Sequence, residues 1–211
     1  MYRPILATIV RGANISRRIR VRRPVAFPSL LVWLILSGLA LGAAAGRAQA
    51  QSEVDEYRVK AGFLYHFAQL VDWPAGPMTD ASQPLVLCTI GDDPFDGELD
   101  RSLGGRSAGI HTIRVRHLRD VKSLRFCQLL FISKSEDKSI PAIIAELGTA
   151  PVLTVGESDD FAQQGGMIRF SIEDSKVRFS INLEFAERAG LKISSKLLLV
   201  AKEVIGNRGG K

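Results

Sequence analysis

Acidic residues are absent from the first 50 positions of this 211-residue sequence, and so is lysine. The same segment holds eight of the 28 basic residues, all of them arginine. From residue 51 onward, 20 basic residues face 22 acidic ones, so that part has a net charge of −2 while the whole sequence has +6. The basic excess belongs to the N-terminal segment alone, which excludes a protein that coats nucleic acid through a general positive charge.

Long apolar runs are scarce as well, because only residues 29–45 approach the length of a membrane span. These 17 residues follow the arginine-rich segment, and Ala48-Gln49-Ala50 comes shortly after them. A basic segment, an apolar run and small residues before a cleavage point make up a secretory signal. We therefore predict a signal peptide over residues 1–50 with cleavage after Ala50. An uncleaved signal anchor is the alternative, although the run lies at the short end of the roughly 17–25 residues that span a bilayer.

Cysteine occurs only twice, at Cys88 and Cys127. An even number of cysteines in an exported protein favours one intramolecular disulfide, because the compartment is oxidising. The alternative is a pair of buried free thiols that act as small apolar side chains.

Recognisable catalytic motifs are missing too. The sequence contains no G-x-S-x-G, no P-loop, no H-E-x-x-H and no C-x-x-C. The three histidines, His66, His111 and His117, have no spacing that suits a metal pair, so we interpret them as structural or surface residues. We predict a protein that is not an enzyme and that binds neither a cofactor, a metal nor nucleic acid.

Residues 51–211 contain no linker and no internal repeat, so we predict a single domain. Apolar runs at 85–90, 127–133 and 151–156 alternate with helical patterns, which is typical of a parallel sheet covered on both faces. Residues 168–173 and 177–183 instead alternate between apolar and polar side chains, which predicts an antiparallel hairpin. The predicted fold class is α/β, with a mostly parallel central sheet flanked by helices and an antiparallel C-terminal hairpin at the edge.

Helical spacing and capping residues set the expected helices. They are a first helix capped by Ser52 that runs to Trp73-Pro74, a helix over 140–147 ended by Gly148, a short helix opened by Asp159-Asp160, and a final helix from Ser194 or Ser195 to Ile205.

Polar residues and glycines follow the three apolar runs, where parallel sheets place their ligand crevice. We predict a ligand or partner crevice formed by Gly91, Asp92, Asp93, Ser133, Lys134, Gly156 and Glu157. A structural alternative explains part of this set, since Asp93 can cap a helix that has Pro94 at its first position. Aromatic residues near the first helix form a second candidate site, a surface that contacts a partner or a second copy of the chain. The alternative is that these residues belong to the core. They are Phe63, Tyr65, Phe67 and Trp73.

Several short segments, taken together and in order, resemble the YfiR family of periplasmic proteins. They are residues 57–65 with Trp73-Pro74, 90–95, 127–133, 152–156, 161 with 165–170, 177–182 and 189–195. The resemblance spans nearly all of residues 53–206.

The resemblance implies a periplasmic regulator without catalytic activity. Such proteins bind and repress the sensor domain of an inner-membrane diguanylate cyclase, which lowers cyclic-di-GMP signalling and biofilm formation, until a signal or an outer-membrane protein sequesters them. It also implies an α/β fold and a homodimer. Cys88 and Cys127 match one cysteine pair of the family, whereas the second, C-terminal pair of its best-known members has no counterpart here.

Other relatives in the family accompany histidine kinases or outer-membrane receptors. The alternative function is therefore a periplasmic accessory of such a system that binds a small ligand in the predicted crevice.

Overall fold

The computed structural model describes residues 55–74, 78 and 80–206. The predicted signal peptide over 1–50, its cleavage after Ala50 and the predicted cap at Ser52 lie outside those residues. Within these ranges no helix has both the length and the apolar character that crossing a bilayer requires.

The described residues form ten strands and five α-helices. The strands are β1 (Val71–Asp72), β2 (Leu85–Ile90), β3 (Ser107–Ala108), β4 (His111–Leu118), β5 (Leu129–Ile132), β6 (Leu153–Gly156), β7 (Ile168–Glu173), β8 (Lys176–Asn182), β9 (Lys192–Ile193) and β10 (Glu203–Ile205). The α-helices are α1 (55–70), α2 (Glu98–Leu103), α3 (Ile140–Leu147), α4 (Leu183–Arg188) and α5 (Ser195–Val200), and two 3-10 helices cover Val121–Phe126 and Lys134–Ser139.

Eight strands form one sheet in the order β10-β8-β7-β6-β5-β2-β4-β3. The five strands from β7 to β4 run parallel to one another, whereas β8 is antiparallel to β7 and β3 is antiparallel to β4. The chain passes from β2 to β4 on one side and then returns to β5 on the other, which makes the sheet doubly wound. The predicted α/β class with a mostly parallel sheet is confirmed.

Two apolar clusters cover the two faces of this sheet. Helices α1, α2, α4 and α5 pack on one face together with the aromatic rings of β7 and β8. Helix α3 and the 3-10 helix at Val121–Phe126 pack on the other. Strands β5 and β6 are buried at every position, because both of their faces are covered. This double cover explains why their sequences are continuously apolar.

The predicted hairpin is confirmed as β7 and β8, joined at Asp174 and Ser175, which both have positive φ. It does not form the outermost edge, because β10 pairs with β8 in parallel. The predicted final helix is accordingly wrong beyond Val200. The chain becomes extended at Ala201 (φ −66°, ψ 140°), and residues Glu203–Ile205 satisfy the backbone groups along the open side of β8.

Two shorter expectations also need correction. The first helix ends at residue 70 rather than near Trp73, because Val71 and Asp72 pair with β9 as strand β1. The segment opened by Asp159 and Asp160 is a series of turns rather than a helix. Its backbone bonds from Gln164 to Asp160 and from Gly165 to Ala162 do not repeat at a constant spacing.

Cys88 and Cys127 form a disulfide with a Cα–Cα distance of 5.9 Å. Cys88 lies on β2, and Cys127 follows the 3-10 helix at Val121–Phe126 just before β5. Both residues are 1% exposed, so the bond is part of the core on that face. The buried-thiol alternative is not what the structure contains.

Replacing both Cys88 and Cys127 by Ser is expected to lower the free energy of unfolding by about 2–4 kcal/mol, because the bond closes a long loop in the unfolded chain. Urea unfolding of the variant and the parent would measure the loss. Alkylation of the denatured parent without reductant should label neither cysteine, and alkylation after reduction should label both. Labelling of both thiols before reduction would contradict the disulfide.

Candidate functional site

The predicted crevice residues lie along one edge of the sheet. Gly91, Asp92 and Asp93 follow β2, Ser133 and Lys134 follow β5, and Gly156 ends β6 immediately before Glu157. These three strands are parallel neighbours in the order β2-β5-β6, so their carboxyl ends meet. The structure therefore brings the set together, although its parts differ in how open they are.

Between β2 and β5 the backbone is tightly packed. The N–H of Asp92 donates to Ser135 Oγ at 2.9 Å, and the N–H of Ser133 donates to the Ile90 carbonyl at 3.1 Å. Gly91 has φ of 91°, and a Cβ there would lie 2.8 Å from Glu136 Cγ. This close approach leaves little room for a ligand at Gly91 itself.

Asp93 caps a turn rather than the helix that the structural alternative predicts. Its carboxylate accepts the N–H of Phe95 at 2.9 Å and that of Gly97 at 3.0 Å. The capped element is a turn that contains Pro94, and α2 begins only after it, at Glu98. Both carboxylate oxygens of Asp93 are thus engaged by the backbone.

An open cavity of about 540 Å³ lies further along the same edge of the sheet, where β5, β6 and β7 meet α1. Lys134 and Glu157 of the predicted set line it, together with residues that sequence reasoning did not select. Its charged lining residues are Glu56, Lys60, Lys134, Asp137, Glu157, Asp159 and Asp160. Five acids against two lysines make the cavity negative.

A buried ion pair forms the floor of this cavity. The side chains of Lys60, from α1, and Glu157 are only 2% and 3% exposed. Lys60 Nζ donates to Glu157 and to Glu56, and it lies 4.2 Å from the centroid of the Tyr57 ring. The Tyr57 hydroxyl donates to Glu157 Oε2 at 3.1 Å. Each buried charge is therefore compensated and hydrogen-bonded, which burial requires.

The sequence offers one signal for this pair. Lys60 lies on the apolar stripe of α1, next to the buried residues Tyr57, Ala61 and Leu64. A lysine in such a position is almost never fully buried without a partner. No pattern identifies that partner as Glu157, which is 97 positions away.

The acids around the cavity influence one another. Burial raises the pKa of the Asp137 carboxyl above its ordinary value of 3.8, and the negative charge of Asp160 raises it further. Glu157 and Asp159 add to this effect, while Lys134 opposes it. The cavity is thus a place where an added positive charge would relieve repulsion.

The four aromatic residues of the second predicted surface are mostly engaged inside the chain. Phe67 is fully buried and stacks with Phe170, so it belongs to the core. Phe63, Tyr65 and Trp73 are partly buried; Tyr65 donates to the Ser107 carbonyl at 3.0 Å, and Trp73 Nε1 donates to the Gln128 carbonyl at 3.0 Å. Contact of these three with a partner or a second copy stays a prediction.

One arrangement of catalytic residue types escaped the sequence motifs. His117 Nδ1 lies 2.8 Å from Thr89 Oγ1, and its Nε2 lies 2.7 Å from Asp100 Oδ2. Nucleophilic catalysis uses such a series, but the nucleophile must reach the substrate. Thr89 is 1% exposed, so the series joins β2, β4 and α2 and presents no accessible nucleophile. Within residues 55–74, 78 and 80–206, no three potential ligands among His, Cys, Asp and Glu are placed to hold a metal ion.

The molecule is thus a doubly wound α/β domain whose candidate site is a charged cavity over a buried ion pair. The chain belongs to the YfiR/HmsC-like family (DUF4154), whose family model matches residues 57–202. The resemblance noted from the sequence is confirmed, and with it membership in a family of regulatory, non-catalytic proteins.

Two solved structures are similar to the chain in part. One is the ABC domain in complex with L-Trp from Streptococcus pneumonia, and the other is a conserved domain protein from Vibrio cholerae O1 biovar eltor. Each has 9% identity and a TM-score of 0.43 over 57% of this chain. The match spans about half of each solved chain, 55% and 54%.

Replacing Lys60 by Met is expected to lower the free energy of unfolding by roughly 3–5 kcal/mol, because it leaves the Glu157 carboxylate buried without its cation. Adding Glu157→Gln should recover part of this loss. The free energy of unfolding lost in the double variant should therefore be smaller than the sum of the losses in the two single variants. Urea unfolding of the parent, both single variants and the double variant completes the cycle. Additive losses would show that the two side chains do not interact.

Proposed function

We propose that this protein is a periplasmic, non-enzymatic regulator that binds the sensor domain of an inner-membrane diguanylate cyclase and represses it. Repression lowers the synthesis of cyclic-di-GMP and hence biofilm formation. The observation that carries the proposal is the family match over residues 57–202, nearly the whole described domain. Release by an outer-membrane protein that sequesters the regulator, and action as a homodimer, belong to the same proposal.

The sequence and the structure support a binding role in two ways. The N-terminal segment has the pattern of an export signal, which would deliver the domain to the compartment where a membrane sensor is exposed. The disulfide and the buried Lys60–Glu157 pair fix the positions of β2, β5, β6 and α1 relative to one another. A rigid surface of this kind loses little conformational entropy when a partner binds.

Deletion of the gene is expected to raise cyclic-di-GMP and biofilm formation, because the cyclase would lose its inhibitor. Nucleotide extraction followed by mass spectrometry measures the first effect, and purification of the tagged protein from solubilised membranes should recover a membrane protein that carries a cyclase domain. Complementation with the intact gene serves as the control, and complementation without residues 1–50 tests the need for export. Unchanged cyclic-di-GMP in a clean deletion would rule out the cyclase version.

A second candidate function is favoured by the cavity of about 540 Å³ above the Lys60–Glu157 pair. There the protein would bind a small ligand as an accessory of a histidine kinase or an outer-membrane receptor. Because the lining is negative, ligands with an amino group suit it best. A thermal-shift screen of amines and amino acids separates the two functions, since a ligand at 100 times its Kd adds about 2.7 kcal/mol of stability. No shift with any of them would favour the regulator that binds protein alone.

A further inference from the structure

A second cavity, of about 600 Å³, lies on the opposite side of β4 from α2 and carries the opposite charge. Val86 and the buried disulfide half Cys88 contribute to its floor, and Arg114 and Arg116 line it from β4. The 3-10 helix at Val121–Phe126 supplies Arg125 and Phe126. We call this surface the arginine groove. It has no part in the site described above.

The arginine groove carries positive charge that the described residues compensate only in part. Its lining contains three arginines and no aspartate or glutamate. Arg125 pairs with Glu146 at 3.8 Å, whereas Arg114 and Arg116 are exposed and form no ion pair within the described part of the chain. The chain beyond residue 50 has a net charge of −2, so this positive surface is local.

The strand that carries these arginines also has an open edge. Strand β3 covers only His111 and Thr112 of β4. Next to them, the N–H of Ile113 donates to the Arg106 carbonyl at 2.7 Å, and the Ile113 carbonyl accepts the N–H of Gly105 at 3.0 Å. Because backbone groups alternate along a strand, those of Val115 and His117 point the same way as those of Ile113.

Within the described residues, the backbone groups of Val115 and His117 on this side have no hydrogen-bonding partner. A cavity of about 470 Å³ lies along the edge and is lined by Gly105 and Val115. It shares Pro84 and Arg114 with the arginine groove, so the free edge and the positive surface are continuous.

We propose that the open edge of β4 and the arginine groove bind an extended acidic segment of a protein partner, which adds to the sheet as a strand beside Val115 and His117. Strand addition supplies main-chain hydrogen bonds, and alternate side chains of the added segment give specificity. Acidic side chains at every second position would lie beside Arg114 and Arg116, where opposite charges on neighbouring strands attract. The exposed ring of Phe126, at 75%, offers apolar contact at the rim.

Other occupants fit less well. A second copy of the chain, joined edge to edge, would bring two sets of these arginines together and repel itself. A small anion would satisfy the charge of Arg114 and Arg116, which lie on the same face of β4, but it would leave the backbone groups of Val115 and His117 unpaired. An acidic strand satisfies both the charge and the unpaired backbone.

The proposal is tested with the purified protein and a short peptide in which Glu alternates with Thr. Fluorescence anisotropy of the labelled peptide gives the Kd, and a peptide of the same length with Gln in place of Glu is the ligand control. The test variant is Arg114→Gln with Arg116→Gln. The matched protein control is Lys176→Gln with Arg178→Gln, two exposed basic residues at the same spacing on β8.

We expect the Glu peptide to bind more tightly than the Gln peptide, and the Arg114/Arg116 variant to weaken that binding by about tenfold while the control pair leaves it unchanged. Hydrogen exchange should show the amides of Val115 and His117 protected by the Glu peptide. Thermal melting of both variants checks that they remain folded, as their exposed positions predict.

Several outcomes would overturn the proposal. Equal weakening by the control pair would mean that binding follows net charge alone. Unchanged exchange at Val115 and His117 would exclude strand addition. Inorganic phosphate, or vesicles of phosphatidylglycerol, that bind as tightly as the Glu peptide and with the same dependence on Arg114 and Arg116 would assign the groove to a small anion or to a lipid surface instead. None of these results depends on which membrane protein the regulator represses.

Discussion

The ion pair between Lys60 and Glu157 is the interaction on which the arrangement of the domain depends. A lysine ammonium that is 2% exposed has lost its hydration, and only a carboxylate held in contact offsets that loss. The pair therefore favours the docking position of α1 that brings Lys60 to the residue after β6. Because Glu157 follows the last buried residue of that strand, the same contact places the helix at the edge where the parallel strands end. The negative cavity lies beside this pair, and Glu56 at its rim shares the same ammonium.

Sequence patterns predicted those elements of the fold whose type and burial can be read from a single segment. Strands β5 and β6 are covered on both faces, so their sequences are continuously apolar. Strands β7 and β8 each have one face that is less buried than the other, so their sequences alternate between apolar and polar residues. The ends of elements were harder, because distant segments decide them. Residues Glu203–Ile205 have a helical apolar spacing together with Leu197 and Val200, yet the unpaired side of β8 draws them into the sheet. The same holds for Val71, which pairs with β9 instead of continuing α1.

The candidate site divides in the same way. The carboxyl-end residues could be placed along one edge because parallel strands end together, and Lys134 and Glu157 do line the cavity there. Glu56 lies on α1 and Asp137 on the 3-10 helix at Lys134–Ser139. No local sequence pattern predicts that these two elements come together at the cavity. Phe67 was predicted to belong to a partner surface, but it packs against the aromatic rings of β7 and β8. The sequence alone does not distinguish these two roles for an aromatic residue on a helix.

Net charge is a poor guide to what such a domain can bind. The part of the chain beyond residue 50 is nearly neutral, yet it separates its charges into an acidic cavity at the ends of β5 and β6 and a basic groove beside β4. The separation follows from the sheet. Strands β5 and β6 are buried at every position and carry no charged residue, so the charged side chains near them lie at the strand ends, whereas β4 carries Arg114 and Arg116 at exposed positions. On β4, the exposed Arg114 and Arg116 alternate with the more buried Ile113 and Val115. The disulfide beside them links β2 to the segment before β5 under the groove. A partner that meets this domain encounters two local fields of opposite sign, each fixed to a rigid part of the sheet.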